Sequence, residues 1–119
     1  MGYNISFKVK VEGTNRYITV GNCEENITWD VREIITRSTG LEWRNMDDNG
    51  LCVDVMPYIE KGYNELLLNH DKYKPYEAEN GWGTVSGTIR FFKNILDAWH
   101  IFSVNEDPEI VKVTTFWIE

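Results

Sequence analysis

The segment Asn80–Gly87, with the sequence NGWGTVSG, contains the residue types best suited to holding a ligand. It leads into the longest apolar helix that the sequence predicts, roughly Thr84–Phe102. The first N–H groups of a helix have no partner within it, so they can bind an anion, and glycines let the backbone come close to that anion. The ring of the tryptophan could stack on a base or another ring. The predicted binding residues are Trp82, Gly83, Thr84, Ser86 and Arg90.

The same segment also has a purely structural interpretation. The glycine turn that binds a dinucleotide follows a buried strand, whereas residues 76–80, which precede the glycines here, are polar. The lysine that a phosphate-binding loop requires is also missing. In this interpretation Trp82 fills a gap in the core, and Gly83 and Gly87 let the helix pack closely. The sequence favours a capped helix over a phosphate site, and it leaves Trp82 as either a core residue or a binding anchor.

Metal and catalytic sites have less support. Residues 45–50, with the sequence NMDDNG, resemble the start of a calcium loop, but the twelfth position, where a bidentate acid belongs, is Met56. The cysteines and histidines lack the local spacing of metal ligands, so we predict no metal and no cofactor. The four possible metal ligands are Cys23, Cys52, His70 and His100. A thiol–imidazole pair of Cys52 with His70 or His100 would form only if the fold brought these residues together.

A protein-binding surface is the stronger functional interpretation. The chain has five Trp, six Tyr and five Phe, many for the interior of 119 residues. Trp43 and Arg44 precede an acidic stretch and, like Trp82, would suit a mixed aromatic and charged contact. The alternative, which the sequence does not exclude, is that these aromatic residues cover a small core.

Length and charge narrow the class of protein. The chain fits one domain over residues 1–119. Its net charge of −7 argues against general nucleic-acid binding and leaves room for a basic protein partner, although solubility alone accounts for such a charge. No apolar run approaches the roughly 18 residues that span a membrane. Two isolated cysteines are typical of a reducing compartment, so we expect a cytoplasmic protein.

The predicted strands begin with a hairpin. Apolar and polar side chains alternate through Tyr3–Val11, which predicts a half-buried strand. A Gly-Thr-Asn turn leads to a second strand, Tyr17–Val20. We expect a loop over Gly21–Asn26 and a last strand over Ile110–Ile118.

Three helices are predicted between these strands. Thr28 caps the first, and Gly40 ends it. The second starts near residues 54–56, with Pro57 in its first turn, and ends around residues 70–74. The predicted fold is therefore α+β in the order β-β-α-α-α-β, with about three helices packed on one face of a small antiparallel sheet formed by the N-terminal hairpin and the C-terminal strand.

The third helix carries two apolar stripes. One consists of Val85, Ile89, Phe92, Leu96 and Trp99, and the other of Phe91, Ile95, Ala98 and Phe102. A helix that is apolar over so much of its circumference is expected to lie between the sheet and other helices, or at a subunit interface. In the second helix Gly62 falls beside the apolar stripe, which predicts a close contact with another helix.

Parts of the chain resemble a group of known proteins. The pieces N-I-T-W at 26–29, N-G-W-G-T at 80–84 and A-W at 98–99 are similar to small uncharacterised proteins of phages, prophages and Gram-positive bacteria. The resemblance implies a mobile-element context. Small acidic proteins in that context often block host proteins or sequester signalling nucleotides.

We therefore expect a small acidic non-catalytic binding protein that blocks a host protein or sequesters a nucleotide-like anion. One alternative is a small intracellular enzyme or enzyme subunit whose site is assembled by the fold. Another is a structural homo-oligomer, such as a homodimer, in which the third helix buries its second stripe against a copy of itself.

Overall fold

A computed structural model describes residues 2–41, 51–52 and 55–118, and its architecture confirms the predicted α+β fold. The strands are β1 (Gly2–Lys10), β2 (Tyr17–Thr28), β3 (Leu51–Cys52) and β4 (Thr114–Ile118). They form an antiparallel sheet in the order β2-β1-β4-β3. The helices are α1 (Arg32–Thr39), α2 (Met56–Leu68), α3 (His70–Tyr73), α4 (Val85–Asn105) and α5 (Pro108–Val113). Short 3₁₀ turns cover Trp29–Val31 and Lys74–Tyr76.

The two faces of the sheet follow the alternation in β1. Tyr3, Ile5 and Phe7 are buried under the helices, whereas Asn4 and Lys10 on the opposite face are exposed. The predicted placement of the helices on one face is therefore correct. The three longer helices, α1, α2 and α4, correspond to the three that the sequence predicts.

The loop predicted over Gly21–Asn26 is wrong, because β2 runs through it. Pairing with β1 is interrupted there: Lys8 pairs with Thr19 and Ser6 with Glu24, so a single residue of β1 faces the bulge Val20–Cys23. Gly21 has a φ of +68° within this bulge, a conformation that favours glycine. The turn-forming residues Gly21 and Asn22 therefore produce a bulge, and pairing resumes beyond it.

The strand predicted over Ile110–Ile118 is wrong in its first half. Residues Pro108–Val113 form α5, whose first turn is capped when the Asp107 carboxylate accepts a hydrogen bond from Glu109 N at 2.8 Å. The cap and the proline at the first helical position outweigh the β-branched residues that follow them. Only the segment from Thr114 onward joins the sheet.

Helices α1 and α2 differ from the prediction at one end each. Thr28 does not cap α1, because a 3₁₀ turn over Trp29–Val31 separates them and the N-cap, Val31, makes no side-chain cap hydrogen bond. Gly40, with a φ of +76°, ends α1 as expected. Helix α2 ends at Leu68, earlier than predicted, and α3 follows after Asn69. The close contact at Gly62 is confirmed, since a Cβ there would lie 2.5 Å from the Thr39 methyl carbon.

Helix α4 lies between the sheet and the other helices. Phe92 and Ile95 are fully buried, and Phe91 and Phe102 are almost so. Both apolar stripes are buried or half-buried within this chain. The second stripe is therefore not available for contact with a copy of the protein.

Candidate functional site

The loop before α4 is closed by its own hydrogen bonds. Ala78 N donates to Gly83 O at 3.1 Å, and Gly81 N donates to Ala78 O at 3.1 Å. The Asn80 side chain accepts from Trp82 N at 2.9 Å, and Gly81 adopts a φ of +76°. These contacts fix the backbone that carries the tryptophan, so its position is defined before any partner binds.

The loop is also attached to the end of β2. Asn80 Nδ2 donates to Asp30 Oδ2 at 3.4 Å, and Thr28 Oγ1 donates to the same oxygen at 3.2 Å. A Cβ on Gly83 would lie 2.9 Å from the backbone carbon and oxygen of Asp30. Gly83, which we predicted as a binding residue, is buried and permits this packing.

Trp82 does not fill a gap in the core. Its side chain is 75% exposed, so the core-plug interpretation is wrong. Beside it lies a small cavity of about 170 Å³ between β2 and α4. Its lining includes Trp82, Thr84 and Arg90, three of the predicted site residues, together with Glu25, Ile27 and Asn94.

The N-terminus of α4 already binds an anion from the same chain. Val85 N donates to Glu77 Oε2 at 2.7 Å, and Gly87 N donates to the Thr84 hydroxyl at 2.9 Å. Thr84 is therefore the N-cap, and Glu77 supplies the negative charge that the helix dipole favours. An external phosphate would have to displace a carboxylate that is bound at short distance.

The cavity has a mixed polar wall. Asn94 Nδ2 donates to Glu25 Oε2 at 3.4 Å, which links α4 to β2. Arg90 is exposed, and within the described part of the chain its guanidinium forms no ion pair. Among the described residues, a partner at this cavity would therefore meet the Trp82 ring, the Arg90 guanidinium and the Glu25 carboxylate.

Ser86 faces away from the cavity. Its hydroxyl lies 3.3 Å from His70 Nε2, and the other ring nitrogen of His70 lies 3.8 Å from Asp71 Oδ1. These are the residue types of a hydrolytic triad, but 3.8 Å is too long for a hydrogen bond that would orient the imidazole. The adjacent N–H groups that could stabilise an oxyanion already bind Glu77 and Thr84, so the arrangement is unsuited to acyl transfer.

Cys23 is not an activated nucleophile. It is buried, and desolvation together with the charge of Glu25 raises the pKa of its thiol to about 12. The thiolate that nucleophilic chemistry needs is therefore strongly disfavoured. Among residues 2–41, 51–52 and 55–118, no group of three His, Cys, Asp or Glu side chains could hold a metal ion.

Trp43, Arg44 and the calcium-like stretch 45–50 lie outside the described residues.

Two residues of the site were not predicted: Glu77, which binds the first N–H of the helix, and Asp30, which anchors the loop. Neither has a local sequence signal, because their partners are eight and 50 positions away.

A larger cavity lies elsewhere. It measures about 710 Å³ and is lined by the turn 10–15 and by Val113. Its walls are mostly exposed turn residues, and the predicted site residues that the structure describes, Trp82, Gly83, Thr84, Ser86 and Arg90, do not line it. It is therefore an open depression at the end of the hairpin.

Comparisons with known proteins add no relative to this picture. Searches of protein-family models, of curated proteins and of solved structures find no match to the chain. Among the helices that the structure describes, none has the length and apolar character needed to cross a bilayer.

Proposed function

We propose that this protein is a non-catalytic binding protein and that Trp82 anchors a protein partner. The observation that carries this proposal is the 75% exposure of a tryptophan on a loop held by its own hydrogen bonds. Tryptophan is the residue most enriched among the side chains that dominate binding energy.

The fixed loop favours binding over a structural role. Because Asn80 and Gly81 already hold the backbone, ordering it on association loses little conformational entropy. Arg90 and Glu25 beside the ring supply the polar rim that usually surrounds such an anchor.

A protein partner fits this surface better than a nucleotide. Glu77 occupies the helix N-terminus where a phosphate would bind, and the net charge of −7 repels further anions. The same charge attracts a basic protein surface. The mobile-element context implied by the resemblance suggests a host protein in the cytoplasm as the target.

The test compares two substitutions of exposed apolar residues on α4 and the loop before it. Trp82→Ala removes the anchor, and Val104→Ala is the control, because Val104 is 69% exposed and lies near the other end of α4, about 30 Å away along the helix. Both variants should melt within about 2 °C of the wild type, because surface substitutions change stability by less than about 0.5 kcal/mol.

Affinity capture from host extract, quantified by mass spectrometry, gives the functional readout. A protein retained by the wild type and by Val104→Ala should fall about tenfold with Trp82→Ala, as expected when an anchor worth 1.4 kcal/mol or more is removed. Equal retention by all three proteins refutes the proposal. A large drop in the melting temperature of Trp82→Ala refutes it as well, because the ring would then stabilise the fold.

A further inference from the structure

We infer that the partner binds as an extended basic segment that adds to the sheet beside Glu24–Thr28 of β2, with every second side chain facing Trp82. This inference rests on the proposed function and specifies the kind of partner.

The first observation is an unpaired strand edge. Strand β2 lies at the end of the sheet, with β1 on one side, and within the described part of the chain no strand pairs with its other side. After the bulge, Glu24–Thr28 pairs regularly with β1. Half of its backbone N–H and C=O groups point outward, and an exposed edge of this kind is a template for another strand.

The second observation is that the edge adjoins the cavity beside Trp82. Glu25 and Ile27 pair with the buried residues Ile5 and Tyr3, so they lie on the helix-covered face, and both line the cavity. A strand added next to β2 would direct alternate side chains toward the same cavity and toward Trp82. Main-chain bonds to the edge would supply affinity, and the cavity would select the side chains.

The bulge sets the length of the added segment. Pairing between β1 and β2 is broken over Val20–Cys23, so the regular edge is limited to Glu24–Thr28. At about 3.4 Å per residue this edge is roughly 17 Å long. It accommodates a segment of about five residues, and the bulge disfavours longer pairing.

The charges around the edge select a basic segment. Glu24 is exposed on the open face of the sheet, and Glu25 faces the cavity. Asp30 and Glu77 lie on the loop side, and among the described residues Arg90 is the one base lining the cavity. With a net charge of −7, a second copy of the same acidic edge is a poor occupant, whereas lysine or arginine opposite Glu24 is attracted.

The experiment uses three peptide probes with the isotope-labelled full chain. The first is an acetylated and amidated Lys-Val repeat of seven residues, and the second replaces each lysine with glutamate. The third is the Lys-Val peptide methylated at every peptide nitrogen, which keeps the charge and removes the main-chain donors. Nuclear magnetic resonance reports the amides of residues 24–28 and the indole of Trp82.

The Lys-Val peptide should shift these signals, slow hydrogen exchange at residues 24–28, and bind about tenfold more tightly than either control. Glu24→Lys should reverse the preference toward the Glu-Val peptide. Glu12→Lys, the same charge change on the exposed hairpin turn, should leave the preference unchanged.

Equal binding of the methylated peptide overturns strand addition, and equal binding of the acidic peptide overturns the basic segment. Protection of the outward-pointing amides of residues 24–28 in the protein alone, together with a dimer by light scattering, also overturns the inference, because a copy would then cover the edge. These outcomes are separable from the function test. If Trp82→Ala loses its protein partner while the peptides leave the edge unchanged, the binding function stands and strand addition fails.

Discussion

Gly62→Ala tests whether the contact between α1 and α2 is as close as the structure shows. The new methyl carbon would lie 2.5 Å from Thr39 Cγ2, 3.0 Å from Phe92 Cε2 and 3.3 Å from Ser38 Oγ. Helix propensity alone predicts that alanine stabilises an α-helix by about 1 kcal/mol relative to glycine. The sign of the measured change therefore separates propensity from packing.

The surroundings of Gly62 cannot move cheaply. Thr39 and Phe92 are both 0% exposed. The Thr39 hydroxyl donates to Ile35 O at 2.6 Å and accepts from Leu41 N at 3.0 Å, so rotating its methyl away would break two hydrogen bonds. Overpacking of a filled core costs about 1–3 kcal/mol, and a contact as short as 2.5 Å belongs in the upper half of that range, about 2–3 kcal/mol. This cost exceeds the gain in propensity of about 1 kcal/mol.

We therefore expect Gly62→Ala to lower the free energy of unfolding by about 1–2 kcal/mol, which is roughly 4–8 °C in melting temperature for a chain of this size. Urea unfolding followed by tryptophan fluorescence measures the change, and an unaltered slope shows that the unfolded state is unaffected. Asn64→Ala, an exposed position of the same helix, should instead be neutral or stabilising.

Thr39→Ser supplies the decisive partner in a double-mutant cycle. Serine keeps the hydroxyl and removes the methyl that would clash with Ala at position 62. The double variant should therefore be more stable than the sum of the single changes by about 1 kcal/mol. If Gly62→Ala is as stable as the wild type, or the cycle shows no coupling, the packing argument is refuted.

Three further predictions concern single groups. The Cys23 thiol, with its pKa raised to about 12, should stay unreactive toward a disulfide reagent at pH 8 and react only on unfolding, and rapid labelling of Cys23 in the native protein would contradict its burial. Burial and the hydrogen bond from the Tyr73 hydroxyl to Glu65 Oε1 at 2.9 Å raise the pKa of Tyr73 from 10 to about 12. The protonated Tyr73 side chain therefore stabilises the fold fully below pH 10, and this stabilisation is lost as the pH rises through 12. Tyr73→Phe should cost about 1 kcal/mol at pH 7 and remove this loss, as followed by urea unfolding and tyrosinate absorbance, and an unchanged pH profile would rule the assignment out. Glu77→Ala frees Val85 N at the start of α4 and should cost about 1 kcal/mol in urea unfolding, and no loss would show that the cap is dispensable.

The fold was predictable where one local signal dominates. Alternation defines β1, and Gly40 ends α1, because each depends on residues next to one another. The errors arose where signals compete. Gly21 indicates a turn, but pairing with β1 continues the strand beyond it. The β-branched residues after Pro108 indicate a strand, but the proline and the Asp107 cap start a helix there.

The site was predictable only in part. Residue types alone select Trp82 and Arg90, and the structure brings both to one cavity. Ser86 looks equivalent to Thr84 in the sequence, but two positions along a helix turn it by about 200°, toward His70. Asp30 anchors the loop through a hydrogen bond from Asn80, 50 positions away in the chain. The residues next to either partner in the sequence give no signal for this tertiary contact.

The position of β4 has a consequence for the order in which the protein folds. This strand lies between β1 and β3. The Thr115 hydroxyl donates a hydrogen bond to Lys8 O, which lies 107 positions earlier in the chain. Strand β4 is also the last described element to leave the ribosome. The ring of Phe7, which packs on Phe116 at 4.8 Å between ring centroids, therefore lacks a neighbour until translation has passed all the helices. Contacts that close so long a loop form slowly. Until β4 is added, the apolar face that β1 and β2 share is incompletely covered, and exposed apolar surface of this kind makes a nascent chain prone to aggregation.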